Sequence, residues 1–221
     1  MPAASRRAST PSADGPGWLP RREGENLSGR LLGLEDIADL RAYERERASF
    51  RAEVVALKAL RRVPIGPKVT VVFENRTTMR YQIQEMARAE KMLSDEQIQA
   101  ELDIYNPLIP GPGELSLTLF IELTTEAELR HWLPRLVGIE RSVELRLNGG
   151  EVVGALVDES HEAQLTREEV TAAVHYVRIA LDERQRQSFL AGPARIAVAH
   201  PAYSYESELS DETRRSLASD W

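Results

Sequence analysis

The sequence predicts an α+β protein with a mostly antiparallel, mixed sheet and helices packed on one face. Three observations point there. A long helical period precedes a buried strand, two capped helices then lead into an alternating strand, and the remaining third reads as a hairpin and meander. The expected organisation is a disordered N-terminal arm over residues 1–33, a single α+β domain over 34–205, and a polar C-terminal tail over 206–221.

The arm is rich in Ala, Ser, Pro, Gly and Arg and offers only Trp18, Leu19, Leu27, Leu31 and Leu32 for burial, too little to offset the entropy of ordering it. Its functional reading is a tether for a partner through Trp18; its bland reading is a dispensable start. From Leu34 to about Arg62 the period changes. Ile37, Leu40, Tyr43, Phe50, Val54 and Leu57 recur at helical spacing, Glu35 and Asp36 suit the first turn and Arg61-Arg62 the last. Arg47, Arg51 and Lys58 form a basic stripe beside this apolar side, which either faces solvent or meets carboxylates elsewhere in the chain.

Val63-Pro64-Ile65-Gly66-Pro67 breaks the helix, because proline biases the preceding residue away from the helical basin and glycine permits a turn. Lys68 to Glu74 follows as a strand covered on both faces, since Val69, Thr70, Val71, Val72 and Phe73 are almost continuously β-branched or aromatic. Asn75 or Thr77 caps the next helix, which runs to about Met92 with Met79, Ile83, Met86 and Ala87 inward and Tyr81, Glu85 and Arg88 on an adjoining face. Ser94 caps a further helix with Ile98, Leu102, Tyr105 and Leu108 on its apolar side. Asn106-Pro107 ends it, and a proline-glycine connector leads to the strand from Glu114 to Leu123.

Thr124 or Thr125 caps a helix from Glu126 to about Leu136, bent or shortened by Pro134. Val143 to Val157 reads as a hairpin turning at Asn148-Gly149-Gly150. A short segment around Thr166 to Thr171, a strand from Ala172 to Leu181, a helix from Asp182 to Ala191 and a strand from Ala194 to Ala199 complete the domain.

The stretch from Val69 to Gly113 gathers polar residues that a core does not need. Candidate catalytic residues are Glu85 and Glu101 as base or metal ligand and Tyr81 and Tyr105 as proton donors. Candidate ligand-binding residues are Arg47, Arg51, Lys58, Glu74, Asn75, Arg76, Gln84, Arg88 and Asn106, with the strand-to-helix turn after Phe73 a natural seat for an anion. The rival reading of the same set is one satisfied hydrogen-bond network against the basic helix.

Three segments, YERERASFRAEVVALKALRRVPIGP, FENRTTMRYQIQEMARAEKM and ELDIYNPLIPGPGELSLTLFIE, together with His200-Pro201-Ala202-Tyr203, closely resemble a bacterial family catalogued as a domain of unknown function, family 3501. The resemblance covers Leu34 to Tyr203. It implies a soluble protein without a settled activity, encoded beside rubrerythrin-like peroxidases and iron-sulfur oxidoreductase subunits, hence a redox or oxidative-stress setting and a partner of one of those kinds. On the matching motifs it carries over Arg47, Arg51, Lys58, Glu74, Asn75, Arg76, Tyr81, Gln84, Glu85, Arg88, Glu90, Glu101, Tyr105, Asn106 and His200. Gly33-Leu34 departs from the threonine-proline cap the family has at the helix start.

Composition narrows the function classes. A net charge of -7 and a pI near 5.3 argue against general nucleic-acid affinity. The absence of cysteine excludes disulfides, thiolate-held clusters and a cysteine nucleophile. No stretch reaches the roughly 18 apolar residues of a membrane span, and polar sequence follows Arg6-Arg7 where an export signal would be apolar, so the expected location is cytoplasmic. The Asn26 and Asn75 glycosylation patterns are then meaningless. His131, His161, His175 and His200 match no metal-peptidase or di-iron spacing, and no phosphate loop, nucleophile elbow or dinucleotide fingerprint occurs. No metal ligand set is assigned and the cofactor is left open. Two functions stay open: an accessory factor of a redox system, and a small-molecule or metal-binding enzyme or sensor with a Glu/Arg/Tyr-lined pocket.

Overall fold

The computed structural model describes residues 30–157 and 170–221. The arm up to residue 29 with Trp18, His161, and the short segment expected from Thr166 lie outside the described residues, apart from the last two positions of that segment. Residues 30–33 do not belong to an arm: Leu32 is buried against Met79, Ile83, Leu102, Leu108 and Ile109.

A short 3-10 turn, Leu34–Asp36, precedes α1 (Leu40–Arg61), whose N-cap is Asp39, accepting from the amides of Arg41 and Ala42. The long helix thus begins later than the periodicity indicates, and Glu35 and Asp36 belong to the separate turn ahead of it. The segment expected to be a mere breaker is also structured. Arg62–Ile65 forms β1, antiparallel to β2 (Val69–Glu74), with Pro64 tolerated because β1 is an edge strand. Gly66 makes the connecting turn at φ +72, and a Cβ there would lie 2.4 Å from Tyr205. Next come α2 (Arg76–Glu90), α3 (Asp95–Tyr105), β3 (Glu114–Ile121) and α4 (Glu126–Trp132), after which Pro134 sits in a 3-10 turn. The chain continues through β4 (Val143–Arg146), β5 (Val152–Gly154), β6 (Val174–Ala180), α5 (Glu183–Ala191), β7 (Arg195–His200), β8 (Tyr203–Glu208) and α6 (Asp211–Ala218).

The α+β class holds, with the strands divided between two antiparallel four-stranded sheets in the orders β1-β2-β3-β6 and β5-β4-β7-β8. Between them lies the main core, where Val71, Phe73, Leu117, Leu119, Val177 and Ile179 of the first sheet meet Val143, Leu145, Ile196 and Val198 of the second. Each fully buried aliphatic or aromatic side chain here contributes about 1.5–3 kcal/mol.

The two outer faces differ. On the first sheet, Glu74, Ser116 and Arg178 stand in one cross-strand row and Val72, Thr118 and Tyr176 in the next, and Glu74, Ser116, Thr118 and Arg178 are all buried. On the second, Glu144, Arg146, Arg195, Glu206 and Glu208 form a ladder of ion pairs. The expected polar tail is a structural part of the domain. Residues 206–221 finish β8 and form α6, Leu217 is buried, and Trp221 stacks 5.4 Å from Phe189 while its indole donates to the Glu114 carbonyl at 3.0 Å. Polar composition hid this because α6 buries only a narrow side. No helix among the described residues is long and apolar enough to cross a membrane.

Candidate functional site

Helix α1 brings Tyr43 and Arg47 over α2, where Glu85 waits one turn beyond Tyr81. The Arg47 guanidinium donates through Nε and Nη2 to the two Glu85 oxygens, both at 2.8 Å, and the buried Tyr43 hydroxyl donates to Oε1 at 2.6 Å. Arg47 above all, with Tyr43 assisting against the opposing effect of burial, lowers the Glu85 carboxyl to about 2. Burial first and Glu85 second push the Tyr43 phenol up. A carboxylate so firmly ionised is a poor general base, and its lone pairs are already engaged. Tyr81 packs edge-on to Phe50 with ring centroids 5.7 Å apart.

The remaining candidates also bind the chain to itself. Gln84, fully buried, accepts from the Ala38 amide at 2.7 Å and donates to the Ala38 carbonyl at 3.2 Å. Asn106 does the same for both backbone groups of Leu32, each at 2.9 Å. Arg76 pairs with Asp36 at 2.7 Å, and Arg88 pairs with Glu44. Burial would raise the Asp36 carboxyl, but the Gly33 amide and Arg76 hold it below the usual range. Asn75 is the α2 cap, accepting from the Thr78 amide at 3.1 Å and donating to Asp220 at 3.0 Å. His200 accepts from the Ala202 amide and donates to the Val137 carbonyl, both at 3.2 Å, which fixes the turn before β8. His175 is likewise internal, 2.9 Å from Thr171 Oγ1 and 3.6 Å from Glu140.

Three predicted residues do not join this centre. Arg51 is exposed and has no ion pair or hydrogen bond among the described residues, so the basic stripe splits, Arg47 and Lys58 facing carboxylates and Arg51 facing solvent. Glu101 and Tyr105 lie on the far side of α2. Burial, with Glu90 adding repulsion, raises the Glu101 carboxyl; burial raises the Tyr105 phenol, partly offset by Gln82. A single pocket uniting Arg51, Glu85 and Glu101 is therefore not formed.

Glu74 is the exception among the charged candidates. It is 4% exposed, its Oε1 accepts from the Thr118 hydroxyl at 2.8 Å, and its Oε2 has no hydrogen bond among the described residues, with Lys58 Nζ 3.8 Å away.

Sequence reasoning missed Arg61, 1% exposed. It pairs with Asp220 at 2.6 Å and donates from Nε to Ser216 Oγ at 3.0 Å. The signal was present: Arg61 falls four residues after Leu57 and seven after Val54, on the apolar stripe itself. Also missed is a groove of about 250 Å³ between the β1–β2 turn, the end of α4 and the β7–β8 turn, lined by Pro67, Lys68, Trp132, Pro201, Tyr203 and Tyr205. The Tyr203 hydroxyl builds its floor, donating to the Ile65 carbonyl at 2.6 Å and accepting from the Lys68 and Val69 amides at 2.9 and 3.1 Å. Lys68 Nζ sits 5.5 Å from the Trp132 ring centre and 2.7 Å from Glu128.

Fold and centre together define a two-sheet α+β protein whose polar middle fastens its first helix and the turn before it. The chain belongs to the family described as a protein of unknown function, DUF3501, whose model matches residues 32–221. It is similar to a solved structure of a protein of unknown function from Burkholderia pseudomallei, with 39% identity and a TM-score of 0.78 over 86% of this chain and 98% of that one. No curated protein matches the sequence.

Proposed function

We propose that this protein is an accessory factor that binds a partner protein, and that the groove at Trp132, Tyr203 and Tyr205 is where the partner sits. One observation carries the reading: Glu85, the best-placed acid of the predicted centre, is closed on both oxygens by Arg47 and Tyr43, whereas the groove presents aromatic and proline surface with Tyr205 46% exposed. Rigid aromatic rings beside proline suit capture of a polypeptide, since they offer large contact area at low entropic cost. The redox setting, with a rubrerythrin-like or iron-sulfur oxidoreductase protein as the partner, rests on the family resemblance.

The test is direct binding between the purified protein and each of those two partner classes. Binding to one of them that weakens about tenfold in Tyr205→Ala supports the reading. No binding to either, or binding indifferent to Tyr205→Ala, sinks it. A second reading, a small-molecule or metal-binding enzyme or sensor, is favoured by the buried Glu74 oxygen that has no hydrogen bond among the described residues. Elemental and mass analysis of protein purified without chelators checks it: a bound species lost in Glu74→Gln supports it, and a blank counts against it.

A further inference from the structure

Residues 30–38 are held as a bound peptide is held. Two carboxamides clamp the backbone at its two ends, Asn106 on both polar groups of Leu32 and Gln84 on both polar groups of Ala38. Between the clamps, Arg80 Nε donates to the Asp36 carbonyl at 2.8 Å. Contacts of this kind recognise main chain and are indifferent to side-chain identity. Two further contacts select. Leu32, 4% exposed, fills an apolar socket made by Met79, Ile83, Leu102, Leu108 and Ile109, and Arg76 takes the Asp36 carboxylate.

Leu31, Leu34 and Glu35 are exposed, and Ile37 and Ala38 are half-buried against the apolar clusters beside them. The turn between leucine and aspartate is self-made, with the Gly33 amide donating to Asp36 Oδ2 at 2.9 Å and the Ile37 amide to the Leu34 carbonyl at 3.1 Å. One deeply buried side chain, two half-buried ones and a handful of hydrogen bonds are the marks of a segment that opens locally, below the cost of unfolding the domain.

We propose that the cleft between α2, α3 and the Pro110 connector is a peptide-binding site for a partner protein, closed in this chain by its own residues 30–38. The ligand is a short segment with a leucine and an acidic residue four positions later, arranged about one turn. The strap competes in cis, so a partner binds with an affinity reduced by the fraction of time the cleft stands open. This site shares no residue with the aromatic groove, and the two stand or fall separately.

The experiment is titration of a labelled peptide of residues 30–39, RLLGLEDIAD, with the full-length protein and its Leu32→Ala variant. The variant loosens the strap and leaves the socket intact. The expected result is binding at least about tenfold tighter to Leu32→Ala than to the unaltered protein. It should be lost when Asn106→Ala is added and when the peptide's own leucine is replaced by alanine. Equal affinities for the two proteins, or no binding to a folded Leu32→Ala, overturn the proposal.

Should Leu32→Ala fail to fold, hydrogen exchange on the unaltered protein decides. The Leu32 and Ala38 amides, which report the two clamps directly, are expected to exchange well before those in the middle of α1. Exchange only through global unfolding overturns the proposal. A mass that grows to a dimer with concentration and falls back when excess peptide is added assigns the cleft to a second copy, and overturns the choice of a partner protein.

Discussion

Helix α1 carries two arginines that each meet a carboxylate, and the two ends of the helix treat the same chemistry differently. Arg47 and Glu85 remain 29% and 26% exposed, whereas Arg61 and Asp220 are 1% and 17% exposed. At the first, solvent screens the pair and the Tyr43 hydroxyl adds to it. At the second, the guanidinium is desolvated and every lost partner leaves a buried charge uncompensated. Density of charge in the sequence therefore marks the weaker knot, and the stronger one stands alone on an apolar stripe.

The comparison can be broken from its strong end. Asp220→Ala should destabilise by about 3–5 kcal/mol in denaturant unfolding, while Arg61→Met, which removes the buried charge itself, should cost less. Equal losses from both would show that packing and not charge holds α6. Next in size, Glu85→Gln should cost about 1–3 kcal/mol, because Arg47 loses its ionised partner while Tyr43 keeps an acceptor.

The pH dependence sharpens the same contrast. Glu85 sits at about 2 when folded against a usual value of 4.5, so its contribution is full above about pH 4.5 and is lost as pH falls toward 2. Acid unfolding monitored by circular dichroism should lose this component in Glu85→Gln. Tyr43→Phe should cost about 0.5–1.5 kcal/mol and move the Glu85 titration upward, readable by carboxyl NMR. Arg51→Ala should change stability by less than about 0.5 kcal/mol, since Arg51 is exposed and no described residue pairs with it.

Much of the fold was legible because its signals are local. Ser94 and Thr125 cap helices where they were expected, the helix expected from Asp182 starts one residue later with Asp182 as its cap, the hairpin turns at Asn148-Gly149-Gly150, and β2, β3 and β6 follow their apolar patterns. What was not legible depends on distant partners. Arg62–Ile65 reads as a proline break and becomes a strand only because β2 returns beside it. Residues 206–221 read as polar and are held by Arg61, Asn75 and Glu114, far away in sequence.

The candidate site was half legible for the same reason. Composition showed that Glu85, Gln84, Asn106 and Arg76 needed partners, and Arg47 was foreseen as one. It could not show that most of the others would be main-chain groups of residues 32–38, since every residue carries those. The groove left no trace, because Pro67, Trp132 and Tyr205 meet only when three separate turns converge.

The ladder of alternating charges on the second sheet has a consequence for handling the protein. Stacking of this charged β face against its own kind would have to strip water from Glu144, Arg146, Arg195 and Glu206. Colloidal behaviour should accordingly hinge on these side chains. Replacing Arg146 and Glu206 together by valine would turn a wetted wall into an adhesive one while leaving the interior packing untouched.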